Sequence, residues 1–242
     1  FFMRFYKFFI SIFLIFTMCF YITTPVFSEE TTYVWSPNNN SLNDSTNDNS
    51  SQVKETNSEV DESNSLSLES GSAILIEQTT GQVLYSHNAH EQLRPASVTK
   101  VMSILLIMEA LDSNKISLTD SVPCSENAAS MGGSQIWLDP RETLTVDEML
   151  KAICVNSAND CVVAMSEFIA GSEEAFVQLM NDKAKELGMN DTCFKNCHGL
   201  DEDGHVTSAY DISLMSRELL NNHPSVTNYT TIWTDTLRNR KI

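Results

Sequence analysis

Ser97 and Lys100 stand three residues apart in the run RPASVTK, residues 94–100, at the head of the most hydrophobic stretch after the N-terminal segment. A serine hydroxyl is a poor nucleophile until a base takes its proton. A lysine at its ordinary pKa of about 10.4 cannot do so. Burial disfavours the ammonium, and the positive end of a helix pushes the same way, so an apolar helix start can turn a lysine into a base. Positions i and i+3 share a helix face, which makes Ser97 the candidate nucleophile and Lys100 its general base. Backbone N–H groups at the same helix start are candidate donors to a developing oxyanion. A serine N-cap followed by a lysine reaching water would leave the same letters. The apolar run and the preceding Pro-Ala support the chemical reading but do not by themselves outweigh the plain cap.

A second pair lies about sixty residues downstream, in NSAND: Ser157 and Asn159. A hydroxyl there can relay a proton to a leaving amine, and an amide can hold a peptide carbonyl. The plainer reading is a connector whose Asn and Asp cap the next helix. Five cysteines follow Cys19: Cys124, Cys154, Cys161, Cys193 and Cys197. The odd number leaves at least one unpaired within the chain. Cys193, Cys197 and His198 form a conceivable half of a metal site, but the spacing is not a zinc pattern and no second Cys/His pair follows. Buried thiols or one local disulfide are the expectation.

The elements that must position these residues are legible from periodicity. SAILIEQ (72–78) and QVLYS (82–86) read as a hairpin across TTG. Residues 97–111 read as one helix, apolar around nearly its whole circumference, which belongs in the middle of a fold. Thr145 and Glu148 have the spacing of a capping box and open a helix that NSAND interrupts. The next helix stops at Gly171, another starts at Ser172–Glu174 and ends near Gly188, and a further one runs from Thr207 or Ser208 to just before Pro224. YTTIWTDTLRNRKI looks strand-like, with no partner after it. The sheet is therefore expected to be thin, and one face of the Ser97 helix to lack cover.

The 242 residues carry 32 acidic and 15 basic side chains, a net charge of -17, and no basic patch, which argues against a nucleic-acid partner. Arg4 and Lys7 ahead of an apolar stretch over 8–21, with Val26 and Ser28 beyond it, predict an export signal over 1–28. An uncleaved signal anchor is the alternative, and would be the chain's one membrane contact. Residues 29–69, with nine acidic residues against one base, read as a disordered Ser/Asn-rich linker. Residues 70–242 are left as the catalytic domain.

PASVTK and SAN, in their order and spacing, resemble the penicillin-binding D-alanyl-D-alanine carboxypeptidases of low molecular weight, serine peptidases with SxxK and SxN boxes. So do GGSQIWL, LTVDEMLKAICVNSANDCVVAMSEFIAGSEEAFVQLMN and HGLDEDGHVTSAYDISLMSREL. The resemblance covers about 68–240. It implies an α+β fold of the β-lactamase and penicillin-binding transpeptidase type: a helical subdomain carrying Ser157 and Asn159, set against an incomplete antiparallel sheet, with the Ser97 helix at the junction. It implies Ser97 as the acylated nucleophile, Lys100 as general base, Ser157 as proton relay and Asn159 as a substrate ligand. The implied reaction is hydrolysis of the terminal D-Ala–D-Ala bond of peptidoglycan stem peptides, outside the cytoplasm, at the cell wall or the outer face of the membrane. β-Lactams are the implied covalent inhibitors, and no metal or organic cofactor is implied. The third box of the family, Lys-Thr/Ser-Gly, has no counterpart in these residues, so the chain is expected to stop before it. Alternatives are a non-catalytic wall-binding remnant and an SxxK esterase or β-lactamase. The E-x-x-L-N setting of a class A β-lactamase is absent.

Overall fold

The chain divides into two units, 1–62 and 63–242. The structure, a computed structural model, describes residues 68–238 and 240–242. The expected signal segment and all but the last two residues of the expected linker lie outside them.

The hairpin forms as its β-type runs predict. β1 (Ala73–Ile76) pairs antiparallel with β2 (Val83–His87), with an irregularity between Leu75 and Ile76. The run after Pro95 does not form one helix. Residues Ala96–Thr99 make a 3-10 turn, and the α-helix α1 starts only at Lys100 and runs to Asp112. Ser97 is thus inside a tight turn and is not the N-cap of α1; Thr99 takes that position.

Two short strands that periodicity does not reveal, β3 (Ser121–Pro123) and β4 (Thr143–Thr145), pair across the one-turn helix α2 (Glu126–Ala129) and a loop. β4 runs directly into α3 (Val146–Asn156), which opens with the predicted capping box. Thr145 Oγ1 accepts from Glu148 N at 3.2 Å, and Glu148 Oε2 accepts from Thr145 N at 2.8 Å. Then come α4 (Asn159–Ala170), α5 (Glu173–Glu186) and α6 (Ala209–Asn222). Gly171 ends α4 at φ +87°, and the Ser208 hydroxyl caps α6. The last segment differs from the strand-like expectation. Tyr229 and Thr230 belong to the short helix α7 (Thr227–Thr230), and the strand that follows, β5 (Thr236–Leu237), folds back on β6 (Arg240–Lys241). Among the described residues the strands make three separate two-stranded antiparallel ladders.

α1 is enclosed by α4, α5 and α6. Met102, Leu105 and Ile107 are fully buried, and Ile104, Leu106, Met108 and Ala110 nearly so. Each such Leu, Ile or Met side chain contributes roughly 1.5–3 kcal/mol on burial. The expectation of a bare helix face is therefore corrected, because helices cover what the thin sheet does not. Exposed apolar side chains lie on the hairpin, at Leu75, Val83 and Leu84, and elsewhere, Trp137 and Trp233 most of all. Among the described residues no helix is long and apolar enough to cross a membrane.

Candidate active site

The tight turn brings the first pair together. A 3-10 helix has about 3.0 residues per turn, so side chains at i and i+3 eclipse. Lys100 Nζ lies 3.2 Å from Ser97 Oγ and donates to the His198 carbonyl oxygen at 2.7 Å. Ser97 is exposed, while Lys100 is only 3% exposed. Burial pulls the Lys100 pKa down to about 8, against an upward pull from Cys197. A neutral amine keeps two N–H groups and one lone pair. One N–H can stay on His198 O while the lone pair faces the Ser97 hydroxyl. Ala96, just before Ser97, sits at φ +46° without being glycine, a local strain of about 1–2 kcal/mol that the surrounding packing must sustain.

That packing comes from the segment KNCHGL, residues 195–200. Gly199 has φ +90°, and a Cβ placed on it would lie 1.9 Å from Ala96 O, so only glycine lets this backbone meet the nucleophile turn. Gly199 N donates to Asn196 Oδ1 at 2.7 Å, and Asn196 Nδ2 donates to Leu200 O at 3.0 Å, which fixes the turn. Ser103, one helical turn along α1, donates to Cys197 O at 2.6 Å. Thr99 adds a second tie. Lys195 N donates to His205 Nδ1 at 3.0 Å, so the His205 proton is on Nε2 and donates to Thr99 Oγ1 at 2.7 Å. Burial lowers the His205 pKa, which favours that neutral tautomer.

The second pair occupies the break between α3 and α4. Ser157 turns the chain at φ +54°, and its side chain is half-buried. Asn159 is 3% exposed. Its backbone N donates to Ser134 O at 2.7 Å, and its Nδ2 donates to Gly132 O at 2.7 Å. The Gly132 carbonyl settles which way the amide faces and leaves Oδ1 buried with no partner. Asn159 therefore offers a ligand one unused acceptor beside its remaining N–H. Asp160, a helix cap in the plainer reading, accepts from Cys161 N in the first turn of α4 at 2.9 Å and also receives backbone N–H groups from the loop before β4.

Of the predicted site residues, Ser97 and Lys100 are in contact, and Asn159 faces the 132–134 backbone. No hydrogen bond joins Ser157 to Ser97 or Lys100 among the described residues. The sequence reading missed the His198 carbonyl, Gly199, Asn196, Thr99 with His205, and Asp160. The only signals for them were the HGL triplet and the Asp in NSAND. Burial keeps four of the thiols protonated. All five are unpaired, and burial raises Cys124 to about 11, Cys154 to about 12, and Cys161 and Cys197 well above their ordinary range. The conceivable half-site at Cys193, Cys197 and His198 does not assemble. The His198 ring accepts from Leu200 N at 3.1 Å and faces Glu173 at 3.5 Å, and no cysteine joins a group with ligand atoms in range among the described residues.

The chain is similar to known proteins in sequence and in fold. The chain is 58% identical over 170 residues to the D-alanyl-D-alanine carboxypeptidase DacF of Bacillus subtilis, covering 70% of this chain and 43% of that protein. It is 37% identical to DacC of Escherichia coli, covering 65% and 41%. The chain thus spans about two-fifths of the length of these relatives. Among solved structures, penicillin-binding protein 6B from Escherichia coli superposes with a TM-score of 0.68 at 33% identity, covering 71% of this chain and 56% of that one. Penicillin-binding protein D2 from Listeria monocytogenes, in its ampicillin-bound form, gives 0.65 at 29% identity, covering 74% and 72%. The family pattern described as D-alanyl-D-alanine carboxypeptidase matches residues 55–242, so the chain belongs to that family.

Proposed function

We propose that this chain carries the nucleophile of a serine-type carboxypeptidase that removes the terminal D-alanine of peptidoglycan stem peptides. The observation that carries the reading is the buried Lys100 amine, 3.2 Å from the exposed Ser97 hydroxyl and lowered to about 8. Neutral Lys100 takes the Ser97 proton as Oγ attacks the carbonyl carbon of the penultimate D-alanine. The C–N bond to the terminal D-alanine then breaks, and the leaving amine receives a proton through Ser157. Water hydrolyses the resulting ester and restores Ser97. Asn159 binds the peptide backbone of the substrate, and its unpartnered Oδ1 supports that role. No metal or organic cofactor enters this balance.

β-Lactams acylate the same hydroxyl. The ampicillin-bound form of the Listeria protein supports this. The reaction takes place outside the cytoplasm, at the cell wall or the outer face of the membrane. An export signal over 1–28, or an uncleaved anchor, delivers the enzyme, and a spacer over 29–69 sets it off from the surface. These assignments rest on the sequence pattern. The test is labelling with a fluorescent penicillin together with D-alanine release from a D-Ala–D-Ala peptide, in the full-length protein. Both activities should appear, and both should vanish in Ser97→Ala. A wild-type protein with neither refutes the reading.

A further inference from the structure

Asp160 follows Asn159 and is completely buried, and among the described residues no salt bridge reaches it. Its carboxylate receives three backbone N–H groups instead: Ile136 N at 3.1 Å and Leu138 N at 3.0 Å on Oδ2, and Cys161 N at 2.9 Å on Oδ1. A buried carboxylate is costly unless its lone pairs are filled, and these donors fill them. Two of them flank Trp137, which is 70% exposed and held at φ +56°. The near end of the same loop is bonded to Asn159, through Gly132 O to the side-chain amide and through Ser134 O to the backbone N–H. Asn156 Nδ2 holds the middle, at Gln135 O, at 3.0 Å. Residues 132–138 therefore run from one side of the candidate substrate ligand to the carboxylate next to it in sequence.

We propose that Asp160 is a positioning residue for the reaction: by pinning Ile136 and Leu138 it sets the loop whose Gly132 and Ser134 carbonyls aim Asn159 at the substrate. The proposal rests on the acyl-transfer reading above. It makes Asp160 act through Asn159 and not through Lys100, because none of its partners belongs to the nucleophile turn. A one-ångström displacement of a binding group is enough to cost about two orders of magnitude in rate. A residue that merely held the fold would weaken stability without acting through Asn159.

The experiment is a double-mutant cycle on penicillin acylation in the full-length protein, with wild type, Asn159→Ala, Asp160→Asn and the double variant. Asp160→Asn keeps the volume but turns an amide toward the loop N–H groups. Each single variant should lower the second-order acylation constant by about tenfold or more. The double should fall within about threefold of the worse single variant, since Asp160 has nothing left to aim once Asn159 is gone. The rise of rate with pH that Lys100 sets should stay in place. Asn156→Ala loosens the same loop without disturbing a buried carboxylate, so it serves if Asp160→Asn does not fold. It should show the same non-additivity with Asn159→Ala at a smaller size. Losses that multiply in the double variant, a displaced pH dependence, or a folded Asp160→Asn that acylates within about twofold of wild type would each overturn the proposal. Absence of labelling in the wild type would overturn the functional reading instead.

Discussion

The nucleophile turn (residues 96–100) and the Asn turn (residues 157–160) are built on opposite plans. In the first, the two candidate groups meet through local geometry: a 3-10 turn eclipses Ser97 and Lys100, and distant residues tighten the contact. In the second, neighbours in sequence do not touch one another's chemistry. Asn159 and Asp160 each bind a loop more than twenty residues upstream. A locally built site should lose function through its own side chains. A site built through a loop should also lose it through residues that never meet substrate.

The sharpest break is Ser97→Ala. Penicillin labelling should disappear, with the melting temperature unchanged, because the lost hydroxyl is exposed. Lys100→Arg comes next. It keeps the charge, but guanidinium does not deprotonate in a protein, so acylation should fall by about 10² or more. An Arg variant within about tenfold of wild type, a barrier change of only ~1.4 kcal/mol, would refute the buried base. The pH profile sharpens the same point. The Lys100 pKa is depressed, so the reactive neutral amine is lost as pH falls through about 8. The acylation rate should rise with pH up to about 8 and level off above it. A profile flat from pH 6 to 9 would remove Lys100 as the titrating base.

Two glycines compare the regions directly. Gly199→Ala drives a Cβ to 1.9 Å from a backbone oxygen of the nucleophile turn at φ +90°, so it should cost about 4 kcal/mol or more and be read as a large drop in melting temperature. Gly133→Ala, at φ +75°, meets side-chain atoms alone, the Asn159 amide nitrogen at 2.8 Å and Leu200 Cδ2 at 3.5 Å. A side-chain end can yield, so stability should fall by about 1 kcal/mol, while acylation falls by more than that loss explains. Equal melting temperatures for the two variants would erase the contrast between the regions. The smallest effect is Thr145→Ala, which removes the capping box of α3 far from either pair; about 1 kcal/mol of stability should go, with acylation intact.

The residues themselves determined the start of α3, the end of α4, the cap of α6, the hairpin and the meeting of Ser97 with Lys100, because caps, glycines and i,i+3 spacing act over one or two turns of chain. Thr145 with Glu148, Gly171 and Ser208 could be read in place for that reason. The HGL triplet was visible, but its use was not. Only the folded chain presses Gly199 against Ala96, puts the His198 carbonyl on Lys100 and runs His205 to Thr99, contacts between segments about a hundred residues apart. Short strands such as β3 and β4 were also illegible, since three residues carry too little periodicity to stand out. Ser97 and Lys100 could be found from their letters. That Lys100 is buried enough to fall to about 8 was decided by α1 being enclosed among α4, α5 and α6. Desolvation belongs to the surroundings of a group, and those surroundings exist only once the distant helices have closed around it.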